Sequence, residues 1–217
     1  TPTFPRNGRL LQKLVMKSTS AIMLAIRQVS QLNKGKKTAG IDGKKSLNFL
    51  ERFMLFWEIR RDALNWKHLG LRSIPISKKD GSIRMLKIPA IKDRIGQAIM
   101  LMAYEPVFET GFEANSYGFR PGRSCHDAIQ WIFLQTKKGS MNRWVLDADI
   151  SGAFDNISHQ FLVKKIEGLP GRNMVIQWLK AGYMEKGRYY STESGTPQGG
   201  LVSPLLANIA LDGLEEF

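Results

Sequence analysis

Apolar side chains between Arg9 and Ser30 recur at three- and four-residue steps, and this spacing predicts one long amphipathic helix. Its apolar stripe consists of Leu11, Leu14, Val15, Ser18, Ile22, Ala25, Ile26 and Val29. The same periodicity predicts helices over residues 46–64, 91–112, 125–136, 159–167 and 172–181, and one that begins at Ser203. At Ser203 a serine followed by proline is typical of a helix start. The chain is therefore predominantly helical.

Shorter apolar runs predict strands between these helices. Residues 71–76 and 83–88 form a predicted hairpin, because the intervening Asp80-Gly81 pair is a strong turn signal. Residues 144–150 form a mostly apolar run, which predicts a strand in the centre of a sheet. Residues 183–192 suit a pair of short strands. The pattern predicts a mixed helix and sheet protein.

Composition narrows the function classes. The 217 residues carry a formal net charge of +13 with a pI near 10.0, and such a field attracts polyanions. Residues 1–41 hold eight basic side chains and no acidic one. This clustering favours contact with nucleic acid, and an anionic membrane surface is the weaker alternative. One cysteine and three scattered histidines exclude an internal disulfide and a standard zinc site, and no apolar run is long enough for a membrane span.

Asp149 is the first candidate for chemistry. It ends the predicted strand 144–150, and Phe154 follows five residues later with the small Gly152 and Ala153 between them. A strand end directs a carboxylate into a cleft, and small residues let a ligand approach the main chain. Carboxylate oxygens are preferred ligands of Mg²⁺, so this arrangement suits metal-assisted phosphate chemistry. The alternative is that Asp149 only caps a turn.

Several long segments then carry a resemblance to a known family. The segment ADISGAFDNI (148–157) resembles motif A of reverse transcriptases, and GTPQGGLVSPLLANI (195–209) resembles motif B. The segments SYGFRPGRSCHDAI (116–129) and RMLKIPAIKDRIGQAIMLMAYEPVFE (84–109) are similar to the region between fingers and palm of group II intron-encoded reverse transcriptase/maturase proteins. Residues 11–43 resemble the N-terminal extension of that family. The likeness is collinear over nearly the whole chain.

This resemblance implies an α+β right-hand polymerase fold. Its fingers are mostly helical with a β-hairpin, and flanking helices cover a partial palm sheet. The implied division is a basic N-terminal extension over residues 1–43, fingers over 44–140 and a partial palm over 141–217.

Site residues follow from the same resemblance. Asp149 matches the catalytic, metal-binding aspartate, and Ile150 would lend its carbonyl to a second metal. The matching nucleotide-binding residues are Lys78, Arg84, Ala153, Phe154, Gln198 and Gly199. Phe154 would lie under the sugar and exclude a 2′-hydroxyl, whereas Lys78 and Arg84 would grip the triphosphate. Because Lys79 adjoins Lys78, it stays open which of the two lysines contacts the triphosphate.

Candidate RNA contacts are basic side chains in the N-terminal extension and in the glycine-rich loop before residue 125. They are Arg9, Lys13, Lys17, Lys34, Lys36, Lys37, Arg120 and Arg123. Arg120 and Arg123 could instead be structural ion-pair partners. We interpret Asp147 as a structural acid, Asp155 as a cap or turn ligand, and His159 as a packing or capping residue.

The implied activity is RNA-directed DNA synthesis with two Mg²⁺ ions and deoxynucleotides, on intron RNA, an RNA template and a DNA primer, together with assistance in splicing. The family also has an aromatic-x-Asp-Asp motif, and this sequence contains no Asp-Asp pair. We therefore expect the chain by itself not to polymerise. The alternative function is a catalytically inactive RNA-binding maturase or structural relic. The expected location is intracellular, in a bacterial cytoplasm or an organelle, without a membrane partner, and the oligomeric state stays open.

Overall fold

The computed structural model describes residues 6–79, 81–139 and 144–214, with residues 6 and 7 described by their backbone alone. The α-helices in this part of the chain are α1 Arg6–Lys17, α2 Thr19–Arg27, α3 Phe49–Asp62, α4 Ile91–Glu109, α5 Cys125–Thr136, α6 Ala153–Asn156, α7 His159–Lys165, α8 Arg172–Leu179 and α9 Ser203–Leu211. The strands are β1 Leu71–Ser77, β2 Ile83–Ile88, β3 Tyr183–Glu185 and β4 Arg188–Tyr190. The predicted α+β class is confirmed. No helix in these ranges is long and apolar enough to cross a membrane.

The prediction of one long helix between Arg9 and Ser30 was wrong, because the structure has two helices, α1 and α2, that are separated at Ser18. Ser18 leaves the helical conformation and its side chain accepts a hydrogen bond from the N–H of Ala21, so it ends α1 and caps α2. This break changes the face that α1 buries. Leu11 and Leu14, which belong to the predicted stripe, are exposed, whereas Gln12 and Met16 are buried. After α2 the chain widens into a π-helical turn, Gln28–Leu32, before a 3₁₀ turn, Lys34–Lys37.

α4 forms the centre of the hydrophobic core. Its residues Ile95, Ile99 and Tyr104 are completely buried, and α1, α2, α3 and α9 pack against it. The Tyr104 hydroxyl donates a hydrogen bond to the carbonyl of Pro170 at 2.9 Å, which satisfies its polar end. Burial raises the pKa of Tyr104 above its ordinary value. The core therefore joins the N-terminal helices to the C-terminal ones through one helix.

Both predicted hairpins are confirmed, and they join into a single four-stranded sheet in the order β2-β1-β3-β4. β1 and β2 pair antiparallel with Ile74 opposite Leu86, and β3 pairs antiparallel with β4. β1 and β3 lie parallel through Leu71 and Arg72, which face Tyr183 and Met184. The sheet thus fixes a late segment of the chain beside the first hairpin. Asp80, in the predicted turn, lies outside the described residues.

The strand predicted over residues 144–150 was wrong. These residues have no regular secondary structure, and Trp144 and Leu146 are 96% and 91% exposed. A continuous apolar strand needs hydrogen-bonding neighbours at its edges and cover on its faces. Within the described part of the chain, no strand pairs with this segment. The apolar pattern was present, but its partners were not.

Three buried polar residues in the first turns of α4 hold surrounding loops in place. Asp93 accepts hydrogen bonds from the Trp66 indole N–H at 2.9 Å and the Leu69 N–H at 3.2 Å, and burial raises the pKa of its carboxyl. Arg94 donates to the carbonyls of Pro89, Gly35 and Thr38. Gln97 accepts from the Leu201 N–H at 2.8 Å. Three separate loops are therefore tied to one helix.

Arg120 has a structural role, which contradicts its prediction as an RNA contact. Its side chain is 2% exposed and forms a bidentate ion pair with Glu109, with distances of 2.7 to 3.1 Å. It also donates to the carbonyls of Glu113 and Ser116 at 2.6 and 2.9 Å. A guanidinium enclosed in this way cannot reach a phosphate. The alternative interpretation of Arg120 as a structural ion-pair partner fits this geometry. Arg120 anchors the glycine-rich loop 116–124.

Replacement of Arg120 by Met should therefore lower the free energy of unfolding by about 2 kcal/mol, because it removes the bidentate ion pair with the partly buried Glu109 carboxylate and two hydrogen bonds to loop carbonyls. Urea denaturation measures this loss. Arg123→Met in the same loop is the matched control and should cost about 1 kcal/mol or less, since Arg123 is only partly buried. Equal losses in the two variants would contradict the structural role of Arg120.

Candidate active site

A cleft of about 620 Å³ opens between the β1–β2 hairpin and the two segments that resemble motifs A and B. Its walls come from five separate parts of the chain. The lining residues are Lys78, Ile83, Arg84, Met85, Lys87, Phe119, Gly152, Phe154, Asp155, Tyr183, Glu185 and Gln198. The cleft is therefore assembled by the fold and not by one local motif.

The motif A segment turns sharply before it enters the cleft. Gly152 adopts a left-handed conformation with φ 58° and starts the short helix α6, so Ala153, Phe154 and Asp155 follow in its first turn. The Phe154 ring meets the Phe119 ring edge to face, with centroids 5.8 Å apart. Phe119 is itself held at φ 57°, which is uncommon for a residue with a side chain. Two aromatic rings thus form one wall.

The motif B loop is hydrogen-bonded directly to motif A. The N–H of Gly195 donates to the carbonyl of Ile157 at 2.8 Å, and the N–H of Thr196 donates to that of Phe154 at 2.7 Å. Ser158 and Ser194 form an additional β-bridge. The buried His159 ring hydrogen-bonds through Nε2 to the carbonyl of Gly195 at 2.7 Å, in keeping with a packing role. The two motifs therefore form one rigid unit.

Gln198 joins this unit to the hairpin. Its carbonyl accepts a hydrogen bond from the Lys87 N–H at 2.9 Å, so the loop extends the edge of β2. Its side-chain oxygen accepts from Nε of Arg84, and its side-chain nitrogen donates to Asp155 Oδ2 at 3.0 Å. Gln198 therefore contacts the hairpin, motif A and the cleft at once.

The cleft carries three cations, Lys78, Arg84 and Lys87, against the two acids Asp155 and Glu185. The Lys87 ammonium lies 4.4 Å from the centre of the Tyr183 ring, which orients it beside the cleft. Guanidinium and ammonium groups are the usual partners of phosphate oxygens. The aromatic wall opposite suits a flat ring or a sugar. This combination can accommodate a nucleotide.

The structure brings together four of the residues assigned to the nucleotide: Lys78, Arg84, Phe154 and Gln198. Ala153 and Gly199 each adjoin one of these in the chain. Lys78 lines the cleft, which supports its register over that of Lys79.

The predicted metal ligands are placed differently. Asp149 is exposed in the irregular segment before α6, and Ile150 lines a separate apolar cavity of about 530 Å³ with Phe154 and Phe161. In the described ranges no three His, Cys, Asp or Glu side chains lie close enough together to hold a metal ion. The described donor set is therefore incomplete for Mg²⁺, and we derive no reaction step through a metal from it.

The candidate RNA contacts in the N-terminal extension lie at the surface. Arg9, Lys13 and Lys17 follow one another at four-residue steps along α1 and are exposed, as are Lys34 and Lys37. Lys36 is partly buried and donates to the carbonyl of Gln31. Arg123 donates to the carbonyl of Ala114 and lies over the Tyr117 ring at 5.5 Å. The exposed row on α1 is the set most open to a polyanion.

Sequence reasoning missed several residues of the cleft, including Lys87, Phe119 and Asp155. Lys87 and Phe119 were not assigned to the site, and Asp155 was interpreted as a cap or turn ligand. The signal for Asp155 was available, because an acceptor directly after Phe154 must lie in the same turn. Nothing in the local sequence indicated that Phe119 reaches Phe154.

The family model for "Reverse transcriptase (RNA-dependent DNA polymerase)" matches residues 76–216, and that for the "N-terminal domain of reverse transcriptase" matches residues 5–59. The first covers more than half of the chain. The chain belongs to the reverse transcriptase family.

The chain is similar to group II intron-encoded proteins and maturases. Protein YkfC of Escherichia coli K12 is 38% identical over 95% of this chain and 57% of its own length. Group II intron-encoded protein LtrA of Lactococcus lactis is 37% identical over 85% of this chain, and Maturase-like protein 1 of Euglena gracilis is 34% identical over 94%. This chain spans only 31% of LtrA and 44% of the Euglena protein.

Among solved structures, a partial Cas6-RT-Cas1–Cas2 complex contains a chain with the same fold. It covers 92% of this chain and 34% of its own, with a TM-score of 0.55 and 22% sequence identity. The predicted right-hand polymerase fold, with fingers and partial palm, is therefore confirmed.

Gly195 offers a stability test of the contact between the motifs. It has φ 80°, and an added Cβ would lie 2.6 Å from the carbonyl oxygen of Asp155 and 2.7 Å from that of Phe154. Gly187, in the β3–β4 turn, has φ 79° with open space around it. Gly187→Ala should cost about 1 kcal/mol for its backbone conformation alone. Gly195→Ala should cost at least about 2 kcal/mol, because backbone must also move.

Denaturant unfolding of the two alanine variants checks this prediction. Because the φ angles match, the difference between them isolates the close approach of motif B to motif A. Equal losses would show that the two motifs are not in the contact described.

Proposed function

We propose that this chain is the fingers and partial palm of a group II intron-encoded reverse transcriptase, which in a full-length protein copies RNA into DNA. The single observation that supports this most is the cleft, where a cationic hairpin faces the Phe154 ring and Gln198. The boundaries proposed are a basic extension over residues 1–43, fingers over 44–140 and palm from 141. The sheet crosses the last boundary, since β1 pairs with β3.

In this proposal the cleft holds the incoming deoxynucleotide. Lys78 and Arg84 bind its triphosphate by charge, and the N–H of Ala153 donates to the same group. Phe154 lies under the sugar and leaves no room for a 2′-hydroxyl. Gln198 and the adjoining Gly199 pack against the nucleotide from motif B. The edge contact from Phe119 keeps the Phe154 ring from rotating away.

Asp149 is proposed as the catalytic aspartate, and it would share metal binding with the carbonyl of Ile150. In the complete enzyme two Mg²⁺ ions would supply the activation of the primer 3′-hydroxyl. The other carboxylates would have to come from outside the described residues, since none there completes the set.

The polyanionic partners proposed are intron RNA, an RNA template and a DNA primer. The exposed row Arg9, Lys13 and Lys17 supports this, with Lys34, Lys36 and Lys37 close behind it in the chain. Arg123, which is only partly engaged, could contribute, whereas Arg120 could not. An intracellular location, in a bacterial cytoplasm or an organelle, belongs to the same proposal.

A second function is an RNA-binding maturase or relic without catalysis. The exposed and irregular segment around Asp149 favours it, because among the described residues Asp149 is not part of a group of three metal-ligating side chains. The same basic surface would then bind intron RNA and assist its folding. Catalytic activity of a full-length protein separates the two functions.

RNA binding should weaken steeply with salt. Contacts to single-stranded RNA release condensed counterions. With about five contacts, the slope of log K against the logarithm of the salt concentration should be about −3.5. Fluorescence anisotropy with a short single-stranded RNA at several KCl concentrations measures this slope. A slope near zero would contradict the proposed surface.

Charge reversal locates the surface within the same assay. The double variant Lys13→Glu/Lys17→Glu should weaken binding strongly and flatten the slope. Lys164→Glu/Lys180→Glu is the matched control, because these exposed lysines lie in and after other helices, and it should change binding much less.

Substitution of Asp149 tests the proposed enzyme directly. In a full-length protein Asp149→Asn should reduce primer extension about a hundred-fold or more, because a metal ligand is lost while the side-chain shape is kept. RNA affinity measured in parallel should stay within a few-fold. Asp147→Asn, two residues earlier and equally exposed, is the control and should retain most activity. Activity that survives in Asp149→Asn but is lost in Asp147→Asn would move the site to the other carboxylate.

A further inference from the structure

Asp155 contacts the side chain of Gln198, the motif B residue that lines the cleft. Its Oδ2 accepts a hydrogen bond from Gln198 Nε2 at 3.0 Å, while Gln198 Oε1 accepts from Arg84 Nε. The three side chains therefore form a continuous chain from motif A through motif B to the hairpin. We propose that Asp155 is a positioning residue for nucleotide binding, which holds the Gln198 amide in one orientation towards Arg84. This inference rests on the function proposed above.

The chemistry of the partners fixes that orientation. A carboxylate only accepts hydrogen bonds and a guanidinium only donates them. The amide of Gln198 has one accepting and one donating end, so only the orientation with Nε2 towards Asp155 satisfies both neighbours. Without Asp155, Arg84 alone would hold the amide, and the nitrogen end would be free to swing out of the cleft wall.

The backbone of motif B is anchored independently of the Asp155 carboxylate. Thr196 donates to the carbonyl of Phe154, and Lys87 donates to the carbonyl of Gln198. Ser194 Oγ donates to the carbonyl of Asp155, not to its side chain, at 3.1 Å. Removal of the carboxylate should therefore release the Gln198 side chain and leave the loop in place.

Direct contact between Asp155 and a nucleotide is disfavoured by charge. A carboxylate in the cleft repels a triphosphate, whereas the cations Lys78, Arg84 and Lys87 attract it. A carboxylate that instead orients Gln198 contributes without touching the phosphates. Asp155 and Phe154 are adjacent in α6, so one turn supplies both the aromatic wall and the residue that orients motif B.

A double-mutant cycle tests the role. Isothermal titration calorimetry with dGTP in Mg²⁺ buffer compares the 217-residue chain with Asp155→Ala, Gln198→Ala and the double variant. Asp155→Ala should weaken dGTP binding about five-fold in the wild-type background and less than about two-fold in the Gln198→Ala background. Asp155→Asn should stay within about two-fold of wild type, because its Oδ1 can accept the same hydrogen bond. Ser194→Ala, which loses only the bond to the backbone, is the control and should behave like wild type.

One further readout, the side-chain amide signal of Gln198, separates the possible failures. The side-chain amide signals of Gln198 in ¹H–¹⁵N spectra, assigned by their loss in Gln198→Ala, should shift in Asp155→Ala. The role of Asp155 would be overturned if the wild-type chain binds dGTP but the effects of the two alanine substitutions are additive, or if Asp155→Ala has no effect. In either case the proposed function would still stand. Absence of dGTP binding by the wild-type chain, with the amide shift present, would overturn the nucleotide function and with it the role of Asp155 in binding.

Discussion

The structure depends on polar side chains that are buried in the first turns of the central helix α4. Asp93, Arg94 and Gln97 are each more than nine-tenths buried and bind the loops at 66–69, 35–38 and 200–201. A buried charge without partners costs several kcal/mol of folding free energy. The loops are therefore held where their backbone and side-chain groups form hydrogen bonds with these buried side chains. The basic N-terminal loop, the approach to β1 and motif B are thereby fixed relative to one another.

This constraint explains how a cleft can be assembled from distant segments. Motif B is held from one side by Gln97 and from the other by the carbonyls of motif A, and the Lys87 N–H joins it to the hairpin. Phe154, Gln198 and Arg84 are therefore positioned by backbone contacts before any ligand arrives. Such prior positioning reduces the ordering cost of binding. By contrast, Asp149 lies in a segment without strand partners, so the catalytic half of the proposed site is the less constrained one.

Local patterns predicted most elements, because helix periodicity and the Asp-Gly turn act over a few residues. α5 and the first hairpin have nearly the predicted bounds. The sequence failed where distant partners decide. Residues 144–150 have a strand pattern but no neighbouring strand among the residues that the structure describes. Ser18 splits a helix that periodicity alone would continue. Arg120 looked like an RNA contact because its loop is rich in glycine and arginine, and only the fold shows Glu109 beside it. Phe119 could not be assigned without its partner Phe154, and only the fold shows that Asp155 accepts a hydrogen bond from Gln198.

The most direct test of the account is where a nucleotide binds. Backbone amide shifts recorded while dGTP and Mg²⁺ are added to the chain would map the site without requiring catalysis. The account predicts that the largest shifts lie at Lys78, Arg84, Phe154 and Gln198. Shifts confined to another cavity, such as the one of about 430 Å³ beside Trp66 and Lys92, would contradict it.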